Sequence, residues 1–222
     1  MTSHDLPAPG STPRTRVRRL AEKTVTDRGA AYEILDAGLV AHVGIVDADA
    51  HGQPYVVPVG YARHDDRVYF HGSTGSRLFL RLADGAPTCL TVTLLDGLVL
   101  ARSAFESSIN YRCVMALGTC TVLDGEERDA ALRIVSDHLL PGRWDDIRGP
   151  SRKELAATLT LALRLDEISV KVGEGGPTDD EQDVDRPVWG GHVPIREVFG
   201  EPVPDEAGAA FPVPDYVTTW TR

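Results

Sequence analysis

Apolar residues recur along this chain with two periods, and the switches between them mark out its elements. Thr26 can cap a helix running to Asp36, in which Ala30, Ala31, Ile34 and Leu35 share one face and Gly38 marks the end. Strand-type patterns follow over residues 39–46, 55–62 and 68–71, separated by the turn-rich runs Asp49-Ala50-His51-Gly52 and Asp65-Asp66. Residues 76–82 predict a short helix stopped by Asp84-Gly85. Residues 88–95 and 98–102 predict two strands joined by Asp96-Gly97, the dipeptide that suits a tight type I′ hairpin. A long strand over 109–123 contains Gly118, which marks a bulge or a barrel corner. Residues 127–140 put Ala131, Ile134, Val135 and Leu139 on one helical face, and Ser151 with Glu154 forms a capping box ahead of a further helix. Strands over 158–165 and 168–172 complete the pattern. Six to eight antiparallel strands with a few helices predict a mainly β (α+β) fold, a closed or split β-barrel with peripheral helices, because closure removes exposed strand edges.

Length and charge narrow the function classes. At 222 residues the chain can bury roughly 70% of its unfolded surface, so a core needs no disulfide staples. The composition divides it into a flexible N-terminal arm (1–22), a barrel domain (23–172), a Gly/Pro/acidic linker (173–187) and a C-terminal tail (188–222) that packs on the barrel. A net charge of -10 argues against nucleic acid and anionic membranes as partners. The short basic run Arg14, Arg16, Arg18 and Arg19 reads as a solvated arm or a subunit-docking segment. Cys89, Cys113 and Cys120 sit in apolar strand patterns, where cysteine behaves as a small buried hydrophobe rather than a catalytic thiol. The seven histidines show no paired spacing, so no metal is expected, and there is no G-x-S-x-G elbow. No window has the length of a membrane span and the N-terminus lacks an apolar signal core, which makes the cytoplasm the expected location.

Chemistry concentrates in Tyr69-Phe70-His71-Gly72-Ser73-Thr74-Gly75-Ser76-Arg77. A strand ends there in a small hydroxyl-rich turn followed by an arginine and an apolar run. Glycines admit an anion to the backbone, hydroxyls donate to its oxygens and the arginine balances its charge. The same residues also read as a plain strand-to-helix turn with Ser76 as N-cap and Arg77 in solvent.

Two neighbouring blocks add to this one: Gly52-Gln53-Pro54-Tyr55-Val56-Val57-Pro58-Val59-Gly60-Tyr61 and Ser107-Ser108-Ile109-Asn110-Tyr111-Arg112-Cys113. In this order the three resemble the flavin-nucleotide-binding branch of the pyridoxamine 5'-phosphate oxidase superfamily, which includes nitroimidazole-reductase-like proteins. The resemblance spans Asp27 to Val172, with a weaker match at Trp189-Gly190-Gly191-His192-Val193-Pro194. It implies an FMN-binding split barrel that forms a homodimer with cofactor sites at the interface. By that resemblance Val57, Pro58, Val59 and Tyr61 lie along the flavin ring edge. His71, Gly72, Ser73, Ser76 and Arg77 approach the phosphate and ribityl chain, and Asn110, Tyr111 and Arg112 complete the pocket, with Arg77 and Arg112 on the phosphate. Each has a competing reading: Arg112 pairs with a nearby acid, His71 is either a strand-end histidine or faces the ring and a substrate, and Trp189 either covers the flavin or anchors the tail. Related sequences carry Ser where this chain has Cys113. The resulting expectation is an FMN-dependent oxidoreductase acting on a small molecule. The rivals are a non-catalytic flavin, deazaflavin or haem carrier or sensor on the same fold, and a protein-interaction barrel with no cofactor.

Overall fold

The computed structural model describes residues 6–220. In chain order these form β1 (Thr24–Val25), α1 (Arg28–Ala37), β2 (Val40–Asp47), β3 (Gln53–His64), β4 (Arg67–Ser73), α2 (Arg77–Ala83) and β5 (Thr88–Leu100). There follow β6 (Ser108–Gly118), β7 (Cys120–Leu123), α3 (Gly125–Leu139), α4 (Arg143–Asp146), α5 (Arg152–Ala156), β8 (Thr158–Arg164), β9 (Glu167–Gly173), β10 (Gly191–Pro194) and α6 (Asp215–Thr218). Among the described residues, ten strands and six α-helices make a mainly β, antiparallel fold. They group into two compact units, one holding the chain up to Gly38 with Thr91–Ala116 and Glu167–Glu197, the other Leu39–Leu90, Leu117–Asp166 and the chain from Val198 on.

In the second unit the strand order is β2-β3-β4-β8-β7. Four consecutive residues of β8, Thr160 to Leu163, are buried, which means that this strand is covered on both faces. One cover is α3, which packs on β3, β4 and β8 and places Ala131 against Leu123, Ala162 and Tyr69. Helix α2 packs near the end of β4, where Phe79 meets Phe70 edge-on at a centroid distance of 5.9 Å. A Cβ on Gly72 would overlap the Phe79 ring. Gly72 is therefore a packing glycine that lets a helix and a strand approach closely. Ser151 and Glu154 form the expected reciprocal capping box at the start of α5.

In the first unit the order is β1-β9-β6-β5, with β10 added on β5. Asp27, not Thr26, caps α1: its Oδ2 accepts the Ala30 N–H at 2.9 Å, and Gly38 closes the helix as expected. The Asp96-Gly97 hairpin does not form, and β5 runs straight through it. Two contacts account for this. Asp96 takes both Arg112 nitrogens at 2.9 and 2.7 Å, and Gly97 pairs with Pro194 of β10. A Cβ at Gly97 would stand 2.8 Å from the Val193 carbonyl oxygen, so glycine serves close approach here rather than a reversal. Residues 6–22, read from composition as an arm, lie along β9: the Gly10 N–H donates to the Ile168 carbonyl at 2.8 Å, Arg14 pairs with Glu167 and Thr15 is buried.

Candidate functional site

The turn after β4 satisfies its own donors. The Thr74 N–H donates to the Ala157 carbonyl, the Gly75 N–H to Ser73 Oγ at 3.1 Å, and the Ser76 N–H to the Ser73 carbonyl at 3.0 Å. Ser76 sits at the N-cap of α2 without a side-chain cap bond. Arg77 leans over the Tyr55 ring of β3, 4.1 Å from its centroid, with Nε 3.7 Å from Asp47. Asp47 is buried to 1% exposure and also faces Arg81 Nε at 3.3 Å, while Arg81 pairs with Asp49. Arg77 is thus a partly neutralised cation. The Thr74, Gly75 and Ser76 N–H groups are thus engaged within the protein, whereas sequence reasoning recognised donor-rich residues without seeing which acceptors the fold would give them.

Strand β3 offers something different. Gln53 to Gly60 pair with β2 on one side, while β4 pairs only with Tyr61 to His64 on the other. Residues 53–60 therefore keep a backbone edge that β4 does not cover, and Pro58, which cannot donate to a ladder, sits within it. Val57 and Pro58 are exposed, and Val59 is half-buried. Tyr61 does not belong with them. It is 0% exposed and packs 5.5 Å from the His138 ring, so the position predicted to touch a ring edge is a core position.

His71 opens into a pocket of about 510 Å³ that its sequence neighbours gave no hint of. The walls come from far along the chain: Leu132, Val135 and Leu139 of α3, with Trp144, Ile147 and Leu155. Arg148 and Glu154 stand at this pocket as a bidentate pair at 2.6 and 2.8 Å. That pairing, with the Ser151 N–H, holds the Glu154 carboxyl below the usual carboxylate range. Desolvation by the surrounding side chains lowers the His71 pKa from 6.5, although the residue is exposed by surface area. Desolvation thus favours the neutral imidazole over the imidazolium. No periodicity within 69–77 signals this pocket, because its lining arrives from residues 132–158.

In the first unit, Asn110 and Arg112 line a second, smaller pocket of about 340 Å³ with Asp96 and His192. The Asn110 amide donates to the Gly175 carbonyl at 2.9 Å, and Arg112 is held by Asp96, as its acid-pairing reading anticipated. Tyr111 is half-buried beside Gly173. Trp189 is 65% exposed, with its ring over Gly191 at the start of β10. The Thr93 hydroxyl donates to Cys113 Sγ at 3.4 Å, and burial pushes the Cys120 thiol up to about 12. Among the described residues, no group of three His, Cys, Asp or Glu side chains could hold a metal ion, and no helix is long and apolar enough to cross a membrane.

A family model described as pyridoxamine 5'-phosphate oxidase matches residues 27–172, which takes in all of β2 to β8 and the His71 pocket. The chain belongs to the pyridoxamine 5'-phosphate oxidase family. The antiparallel, mainly β architecture is that family's split barrel. Among solved structures, the flavocytochrome Anf3 from Azotobacter vinelandii is 40% identical, with 97% of this chain and 99% of that one covered at a TM-score of 0.88. An FAD- and haem-binding protein from Mycobacterium smegmatis is 39% identical over 88% of this chain and 96% of its own, at a TM-score of 0.83. A Bacteroides thetaiotaomicron protein, named for 5-nitroimidazole antibiotic resistance, shares the fold at 23% identity and a TM-score of 0.54, with 67% of this chain and 86% of its own covered. No curated protein matches significantly.

Proposed function

We propose that this protein is a flavin- and haem-binding oxidoreductase that passes electrons to or from a small molecule. The observation that carries the reading is the His71 pocket: one imidazole set in an apolar, partly aromatic cavity, in a chain about 40% identical to a flavocytochrome over nearly its whole length. The residues fit a haem. Leu132, Val135, Leu139, Trp144 and Ile147 would face the macrocycle, and His71 would offer a ring nitrogen to the iron. Haem supplies one-electron chemistry and flavin couples it to two-electron chemistry, while the protein binds, orients and shields them.

The uncovered edge of β3 over residues 53–60 fits a flavin. Its free backbone groups suit the polar rim of an isoalloxazine, the exposed Val56 and Val57 suit its faces, and Arg77 over Tyr55 brings a cation to the same strand. We favour FAD over FMN. The turn that suggested a terminal phosphate has its N–H groups engaged and its arginine shared with Asp47, and the relative at 39% identity is named for FAD.

A homodimer belongs to the same reading. Val40, Val46 and Val56 in one unit, and Leu95, Leu98 and Ile109 in the other, are each more than 40% exposed. Apolar surface left in water costs about 25 cal/mol per Å², and a second copy would cover it. Absorbance of the purified protein, followed by extraction and chromatography of the cofactors, tests the whole. Flavin bands with a Soret band and released FAD are expected. Released FMN would correct the flavin, and a protein that neither carries nor takes up haem would overturn the haem assignment.

A further inference from the structure

One buried polar atom in the second unit has no partner, and its place in the sheet points at His71. Thr160 lies in the middle of β8 and is 1% exposed, yet its hydroxyl has no hydrogen-bond partner. Leaving a buried hydroxyl unsatisfied costs about 1–3 kcal/mol, and most buried polar groups in folded proteins avoid it. In the antiparallel ladder of β4 and β8, Thr160 stands directly opposite His71. Directly opposed residues project to the same face of a sheet, with Cβ atoms about 4.5–5.5 Å apart. Thr158, two residues along β8 and hence on that face, lines the His71 pocket. The His71 ring likewise has no hydrogen-bond or ion-pair partner among the described residues. Two other polar groups near the ring are already committed: the Thr158 hydroxyl donates to the Glu154 carbonyl at 2.8 Å, and Arg148 and Glu154 hold each other. Ser136 of α3 also lines the pocket, but Thr160 is the residue that the ladder sets directly opposite His71.

We infer that Thr160 is the positioning residue for His71, accepting the ring N–H on its hydroxyl oxygen so that the opposite ring nitrogen faces the pocket with its lone pair free. A neutral imidazole carries one N–H and one lone pair, and which nitrogen carries which is set by the hydrogen bond that the ring makes. A ligating histidine whose N–H is held by an acceptor is both oriented and made more basic. The same bond gives the orphaned hydroxyl oxygen a donor. The inference rests on the haem reading for its ligand, but the proposed bond involves protein groups alone and can be tested without haem.

Two variants and two measurements test it. Thr160→Val keeps the shape and removes the acceptor, and Thr160→Ser restores a hydroxyl. In haem-loaded protein, Thr160→Val is expected to shift the haem midpoint potential upward and the iron–histidine stretching frequency downward, with Thr160→Ser returning both toward wild type. In protein without haem, the nitrogen-15 shifts of His71 are expected to show one dominant tautomer in wild type and in Thr160→Ser, and a mixture in Thr160→Val. Failure to bind haem would overturn the parent reading and leave the tautomer measurement to decide the bond. Wild-type tautomer balance in Thr160→Val, or a serine variant that behaves like valine, would overturn the role of Thr160 and leave haem binding standing.

Discussion

The turn at 73–76 and the strand pair at His71 and Thr160 lie within a few residues of each other along β4, and they treat polar atoms in opposite ways. The turn is rich in donors, and the N–H groups of Thr74, Gly75 and Ser76 each find an acceptor inside the protein. The strand pair has only an imidazole and a hydroxyl, and neither ring nor hydroxyl is engaged. Residue type alone ranks the turn as the better binding site. Counting satisfied groups reverses the ranking, since a group already bonded must give up a partner before it can hold a ligand.

The comparison breaks first at His71. Replacing it with alanine is expected to abolish the Soret band while flavin bands persist, as read in one absorbance spectrum of the purified variant. Loss of flavin alone would move the ligand site back toward the turn. Next in size is Gly72→Ala, whose methyl would overlap the Phe79 ring. Overpacking of this kind costs about 1–3 kcal/mol and should lower the urea midpoint without changing flavin affinity beyond the loss of folded protein. An anion-contacting glycine would instead lose affinity at unchanged stability.

Acidification gives a third, smaller effect. Desolvation sets the folded His71 pKa below 6.5, so the unfolded chain binds the proton more readily. Stability from this residue is complete above about pH 6.5 and is lost as pH falls through the folded pKa. In haem-free protein, wild type should lose more stability than His71→Phe between about pH 7.5 and about pH 5, measured by chemical denaturation. The smallest effect is expected at Arg77. Because it already stacks on Tyr55 and faces Asp47, Arg77→Ala should weaken flavin binding by only about threefold, roughly 0.6 kcal/mol. A loss of a hundredfold in a fluorescence titration would restore the turn as the principal phosphate site.

Local signals in the sequence carried much of the fold. Gly38 ends α1, Ser151 and Glu154 make their capping box, and the alternation over 39–71 gives β2, β3 and β4 close to their observed limits. What failed was decided by distant partners. Asp96-Gly97 is a sound hairpin signal until Arg112 and β10 claim it, and Tyr61 continues the exposed pattern of β3 until α3 brings His138 over it. The site divides in the same way. His71 and the 57–59 strand were legible as candidates, whereas the pocket around His71 is built by residues sixty and more positions later, which no local period can announce.

The fit of β10 against Gly97 carries a consequence for how the protein survives in a crowded solution. Residues 97–100 of β5 carry backbone donors and acceptors beside the exposed Leu98 and Leu100, and β10 occupies that stretch with Gly191 to Pro194. Strand edges of this kind recruit strands from other molecules when left vacant. A side chain at position 97 would push against the Val193 carbonyl and unseat the chain's own occupant. The lesion would then be social rather than local, and a Gly97→Ala protein should clump on concentration while the fold of each molecule is retained.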